Sequence, residues 1–194
     1  MFCWLAHALT SIRPSASTAN GSISRCTVPM SGTELAARLP LLGSVLYLPA
    51  RSVTQGPSLI TPRWLVARHE LAPLLCTREL LVSSMVGGDG PREWIDCIDA
   101  HGRYCARLHL LPDTDYLAWD ALLVRARSLP AAPLCLDHLV YRAASAELVC
   151  FRVRPLGALD VLDTLPVGRL SALGCGIARE VARAAAVELE PALG

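Results

Sequence analysis

The stretch WIDCIDAHGRYCARLHL, Trp94 to Leu110, puts two thiols and two imidazoles into one short segment: Cys97, Cys105, His101 and His109. Such groups ligate metals, carry protons or exchange disulfides. What they can do depends on which of them share a face. Asp99-Ala100-His101-Gly102 reads as a type I turn with a left-handed glycine, which closes a hairpin. In the uninterrupted register Trp94 faces Leu108, Asp96 faces Ala106 and Ile98 faces Tyr104. That face is mostly apolar and is directed at a core. The other face pairs Glu93 with His109, Ile95 with Arg107 and Cys97 with Cys105.

On the polar face, Glu93 would fix the tautomer of His109 and raise its basicity, as carboxylates do behind metal-bound histidines. The plainer alternative is a cross-strand ion pair of little energetic worth. Cys97 and Cys105 are either idle thiols or a redox or metal-binding pair, and a tetrahedral metal would need two more donors. His101 rides the turn tip, away from both faces. Elsewhere the chemistry is thinner. Asp137 and His138 are consecutive, so on a strand they point to opposite sides. His69-Glu70 has no second histidine one helical turn on, so it is not a zinc-protease pattern. Gly174-Cys175-Gly176 is a lone Gly-x-Gly, better explained by a helix contact or kink than by a nucleotide. There is no G-x-S-x-G and no Walker motif. All 18 basic residues are arginine, which excludes a Schiff-base or P-loop lysine.

The elements that must position these residues follow from local signals. A short helix is expected over Glu34–Leu39, capped by Thr33 and stopped by Pro40. Residues 43–50 read as a strand, and Thr61-Pro62 as the start of a helix carrying Trp64, Leu65 and His69. Residues 78–86 are assigned to a strand ahead of the Gly-rich turn at 87–91. Residues 112–130 read as a helix capped by Asp113 or Asp115, with Arg125 and Arg127 near its negative end. A second hairpin is expected from 133–143 and 147–155, then a short helix near 156–162 and a longer one over 171–189. The sum is an α+β domain, an antiparallel sheet built from hairpins and packed with helices, spanning 30–194. Residues 1–29 are expected to be a disordered leader or a misassigned start ahead of Met30.

Composition sets the outer limits. Of 194 residues, 53% are hydrophobic and 18% charged, which fits one domain with a sizeable core and excludes a disordered chain. The formal net charge of +1 gives no field for nucleic acid or an anionic membrane. No apolar run reaches the roughly 18 residues of a membrane span. The eight cysteines form no C-x-x-C pair, and several lie in apolar runs, where cysteine behaves as a small hydrophobe. The compartment reads as reducing cytoplasm, and the arginine-only, alanine-rich composition as bacterial.

Two stretches are similar to the HemS/ChuX/HutX family of bacterial haem-utilisation proteins. LAARLPLLGSVLYLPA (35–50) resembles its leucine-rich opening. EWIDCIDAHGRYCARLHLLPDTDYLAWDALLVR (93–125) resembles its strand, Asp-x-x-Gly turn, strand and helix segment. The resemblance covers about residues 33–127. It implies a cytoplasmic α+β protein that receives haem after import, with single-repeat members forming homodimers. The chain departs from the pattern: Ala106 stands where a histidine is frequent, and His109 where an aromatic is common. Haem takes an apolar slot, an axial donor and cations for its propionates. Here His109 is the candidate axial donor, Arg107 a candidate propionate partner, and Arg103 a second cation beside the turn. Two other classes stay open: a regulatory or assembly protein using the sheet as an interface, and a thiol-dependent redox protein.

Overall fold

The central strands are buried along most of their length, so the one sheet is covered on both faces, unequally. The computed structural model describes residues 22–51, 63–87, 90–133 and 142–190. Ten strands are present among them: β1 (Ser22–Pro29), β2 (Ser44–Pro49), β3 (Trp64–Val66), β4 (Thr77–Gly87), β5 (Gly90–Asp99), β6 (Tyr104–His109), β7 (Arg127–Pro133), β8 (Ala146–Leu156), β9 (Leu159–Pro166) and β10 (Leu189–Glu190). The order is β3-β9-β8-β2-β6-β5-β4-β1-β7, with β10 against the start of β8. Neighbours are antiparallel except β3 with β9 and β10 with β8, so the fold is α+β with a mixed sheet.

The helices are α1 (Gly32–Arg38), α2 (Ala72–Leu75), α3 (Tyr116–Leu122) and α4 (Ala172–Ala184). The first three cover one face. There Leu35, Leu74 and Trp119 pack on Val28, Leu80, Ile95, Leu108, Tyr47 and Phe151. We call this the core face. On the other face α4 lays Ile177, Ala178 and Ala182 over Leu46 and Leu48 of β2. Gly32 lets α1 touch α2: a Cβ there would fall inside the Leu75 carbonyl.

Several boundaries match the sequence reading, and their causes are local. Ser31 rather than Thr33 caps α1, its hydroxyl accepting from Glu34 N. Asp115 caps α3 by accepting from the amides of Leu117 and Ala118. Ser171 caps α4 in the same way. Four expectations fail. Residues 22–29 are not a leader: β1 lies between β4 and β7, and its Ile23, Cys26 and Val28 are buried. Trp64 and Leu65 are in a strand, because β9 supplies backbone partners to β3. The helix after Asp115 ends at Leu122, and Arg127 begins β7. Residues 159–166 are a strand, since Gly157 (φ +60°) turns the chain back so that Leu159 pairs with Leu156. Of the second expected hairpin, 147–155 lies in β8, while 134–141 lies outside the described residues.

Candidate functional site

Asp99 makes the hairpin turn. Its Oδ1 accepts from His101 N and Arg103 N, and its Oδ2 from Arg103 Nε at 2.8 Å. Gly102 takes φ +74°, and Ile98 faces Tyr104 as the turn dictates. Then the register changes. A bulge between Cys97 and Ile98 inserts one residue on β6, so Cys97 faces Ala106. From there Asp96 faces Arg107, Ile95 faces Leu108 and Trp94 faces His109. A slip of one residue transfers a strand's side chains to the opposite face relative to its partner. Trp94 and Asp96 therefore join His109 and Arg107, while Glu93, Ile95 and Cys97 join Leu108 on the core face.

The resulting site occupies the face that α4 partly covers. Arg107 grips Asp96 with both arms of its fork, Nε to Oδ1 at 2.6 Å and Nη2 to Oδ2 at 2.9 Å. Asp96 has no exposed surface, and the Arg107 side chain is 11% exposed. The guanidinium carbon lies 5.4 Å from the Trp94 ring centre, a cation–π contact. The Trp94 and His109 rings sit 5.9 Å apart at 32°. Burial, and then the positive charges of Arg107 and Arg92, hold the His109 pKa well below the usual histidine range. The imidazole is neutral at physiological pH, the state that binds metal. Arg92 reaches Glu180 of α4 at 3.3 Å. Asp113 accepts from Ser171 N and Oγ, tying the N-terminus of α4 to the loop that follows His109.

Among the described residues, Ser83 Oγ and Trp94 Nε1 are buried without a hydrogen-bond partner. Ser83 lies on β4 directly opposite Trp94. Neither atom was picked out by the sequence reading, which placed Trp94 in the core and gave Ser83 no role. Asp96 was missed too, although its charge complements that of Arg107 two strands' ends away in sequence and one strand away in space.

The remaining sequence-derived site residues fall elsewhere. Glu93 does not orient His109. It lies beneath α3, its Oε2 accepting from Trp119 Nε1 at 3.0 Å, and burial raises its pKa. Arg103 stays at the turn, paired with Asp99 and far along the strand from His109. Cys97 and Cys105 are separate buried thiols, not a facing pair. Burial pushes Cys105 up to about 12, shifts Cys97 upward as well, and pushes Cys26 up to about 11. His69 is exposed and pairs with its neighbour Glu70. Gly174 lies inside the first turn of α4, at the helix contact with Asp113. Asp137 and His138 lie outside the described residues.

Among the described residues no group of three or more His, Cys, Asp or Glu side chains is placed to hold a metal ion. A cavity of about 470 Å³ opens at the β8–β10 end, lined by Arg51, Ser145, Glu188 and Glu190 rather than by imidazole or thiol. No helix of the described residues is long and apolar enough to cross a membrane. No family model, curated protein or solved structure matches the chain.

Proposed function

We propose that this protein binds haem on the second face of its sheet, as a cytoplasmic carrier or accessory protein of bacterial haem utilisation. His109 is the axial donor in this reading. The observation that carries it is the state of that imidazole: strand-borne, buried beside an indole ring and held neutral by burial and two arginines. A neutral imidazole keeps a lone pair for iron, and a strand fixes its direction. The resemblance over residues 33–127 supplies the ligand class and the expectation of a homodimer. The propionate partners differ from those the sequence suggested. Arg107 is engaged by Asp96, and Arg103 by Asp99, so neither offers a free fork.

The test is a haem titration of the purified protein followed at the Soret band. Saturable one-to-one binding is expected, with a spectrum that changes in His109→Ala. No saturable binding overturns the haem reading; binding unchanged by His109→Ala removes His109 from it.

A second reading, a regulatory or assembly protein without a small ligand, draws on three exposed apolar side chains: Leu41 before β2, Leu117 on α3 and Val124 just after it. It would put the protein contact at α3, not on the sheet. Light scattering on Leu117→Glu and Val124→Glu variants tests it, since loss of a stable dimer or complex is the expected result. The thiol-redox alternative draws no support from Cys26, Cys97 and Cys105, whose upward shifts run opposite to an activated cysteine.

A further inference from the structure

Past the end of β2, β8 carries two arginines on an open part of the sheet. Arg152 and Arg154 stand two residues apart on the strand, so they share a face. Phe151 and Val153 turn to the core face, which puts both arginines on the second face. α4 packs on β8 at Ala146 and Leu148, well before them. The two arginine side chains stay 42% and 52% exposed. On β9 the same face presents Asp163, directly opposite Arg152. Asp163 Oδ2 accepts three hydrogen bonds: from Arg152 Nε at 2.9 Å, Arg152 Nη2 at 2.6 Å and Arg154 Nε at 3.1 Å. Its Oδ1 accepts from Thr164 N at 2.9 Å. Burial by itself would raise the Asp163 pKa; the Arg152 bonds, the Thr164 amide and the two arginine charges outweigh it and hold the carboxyl low. The acid is thus a buried, ionised anchor for two exposed guanidinium groups.

We infer that Arg152 and Arg154 form a binding site for a phosphate monoester, with Asp163 positioning them. One carboxylate balances one of the two guanidinium charges, so a positive charge is left uncompensated at the surface. Among the described residues, Arg152 Nη1 and both terminal nitrogens of Arg154 have no hydrogen-bond partner. Asp163 holds both forks in place before a ligand arrives, which cuts the ordering cost of binding. A tetrahedral phosphate has oxygens enough to accept from two forks at once, whereas a planar carboxylate matches one. Leu165 lies two residues beyond Asp163, and Leu65 of β3 lies opposite Val161. They are 41% and 42% exposed, and they offer apolar contact to the body of the ester. The pair is remote from the imidazole of the haem proposal. His109 faces Leu46, and Leu46 faces Leu148, so Arg152 lies about 10 Å across the sheet and about 14 Å along it from His109.

The experiment is calorimetric titration of the full chain with phenyl phosphate and with benzoate, which keeps the ring and replaces the phosphate by a carboxylate. Sedimentation with phosphatidylcholine vesicles, with and without phosphatidate, runs alongside. Wild type should bind phenyl phosphate saturably, one to one, and benzoate at least about tenfold more weakly. Arg152→Gln and Arg154→Gln should each weaken phenyl phosphate about tenfold, the effect of one hydrogen bond to a charged group. Arg154→Lys keeps the charge without the fork and should recover only part of that loss. Melting temperatures of these variants should stay near wild type, because exposed pairs add little stability. Arg125→Gln is the charge control: Arg125 also shares an acid, Glu34, with a second arginine, but that acid is 31% exposed. It should leave binding unchanged. Asp163→Asn makes the cluster more positive yet should weaken binding; tighter binding would remove the positioning role of Asp163. Phosphatidate-dependent sedimentation that Arg154→Gln abolishes assigns the site to a lipid headgroup, and phenyl phosphate binding without it assigns a soluble ester. Four results overturn the inference: neither kind of binding in the wild type, binding undiminished in both glutamine variants, an equal loss in Arg125→Gln, or equal affinity for benzoate.

Discussion

Removing the charge of Asp96 is the sharpest probe of the second face. Asp96 is fully buried, and Arg107 is bonded to it through two contacts of 2.6 and 2.9 Å. Asp96→Ala leaves that guanidinium nearly buried without its counter-charge. Breaking one side of a buried pair costs about 3 to 5 kcal/mol. The Trp94 ring returns a part through its cation–π contact, about 0.5 to 2 kcal/mol, but that contact exists already in the wild type and is no new gain. For a chain of this size each kcal/mol moves the melting temperature by about 2 to 4 °C, so the drop should be roughly 6 to 20 °C. Replacing both partners by apolar groups, Asp96→Leu with Arg107→Met, should recover most of the loss, since buried pairs exchange for hydrophobes at little cost. Urea unfolding of the two single variants and the double variant closes the cycle. Single losses below about 1 kcal/mol, the level of an exposed pair, with no coupling between them, would refute the account of the register and of the buried fork.

Three further outcomes follow from the same geometry. His109 has a folded pKa well below the unfolded value of about 6.5, so the unfolded chain takes up a proton that the native one excludes; its stability contribution is complete above that value and is lost as pH falls. Between about pH 7 and pH 5.5 the wild type should lose about 1 kcal/mol more than His109→Gln in urea unfolding, and equal losses would show that the imidazole protonates in place. Gly32→Ala drives a methyl into the backbone of Leu75 and should cost about 1 to 3 kcal/mol; an unchanged urea midpoint would show that α1 and α2 separate freely. A chain lacking residues 1–29 loses the buried Ile23 and Val28 and exposes the β4 and β7 edges, about 3 to 6 kcal/mol from those two side chains alone; a melt within two degrees of the full chain would show β1 to be dispensable.

What the sequence made legible was what local chemistry decides. Asp99 and Gly102 specify their turn within five residues, Asp115 and Ser171 cap their helices within three, and the apolar stripe of α4 recurs at helical spacing. What it hid depends on distant partners. Trp64–Val66 follows a Thr-Pro pair that looks like a helix start, yet becomes a strand because residues 160–162 offer it an edge. β1 breaks its own alternation with a register shift between Ile23 and Arg25, which disguises a buried strand as polar chain. β9 was recoverable: Gly157-Ala158 is a two-residue hairpin loop with glycine at its positive-φ position, a signal passed over in favour of a helix.

The bulge at Cys105 is the feature on which the candidate site turns, and nothing in its own side chain announces it. Cys105 presents its carbonyl to the amide of Ala50 on the way out of β2, so the strand beside β6 takes part in holding the extra residue. Without that residue His109 would face Glu93, and Arg107 would face Ile95 above the packed side chains under α1 and α3. One inserted residue instead sends all four polar or amphipathic groups, Trp94, Asp96, Arg107 and His109, to the same side, and leaves Glu93 as the acid that the core face must satisfy through Trp119. The sheet thereby separates its two tasks: a face closed by three helices that carries most of the apolar burial, and a face with a neutral imidazole, an indole and a buried ion pair in register. Bulges re-aim side chains next to functional sites. Here the re-aiming converts a hairpin with scattered reactive residues into a contiguous row on one face of the sheet.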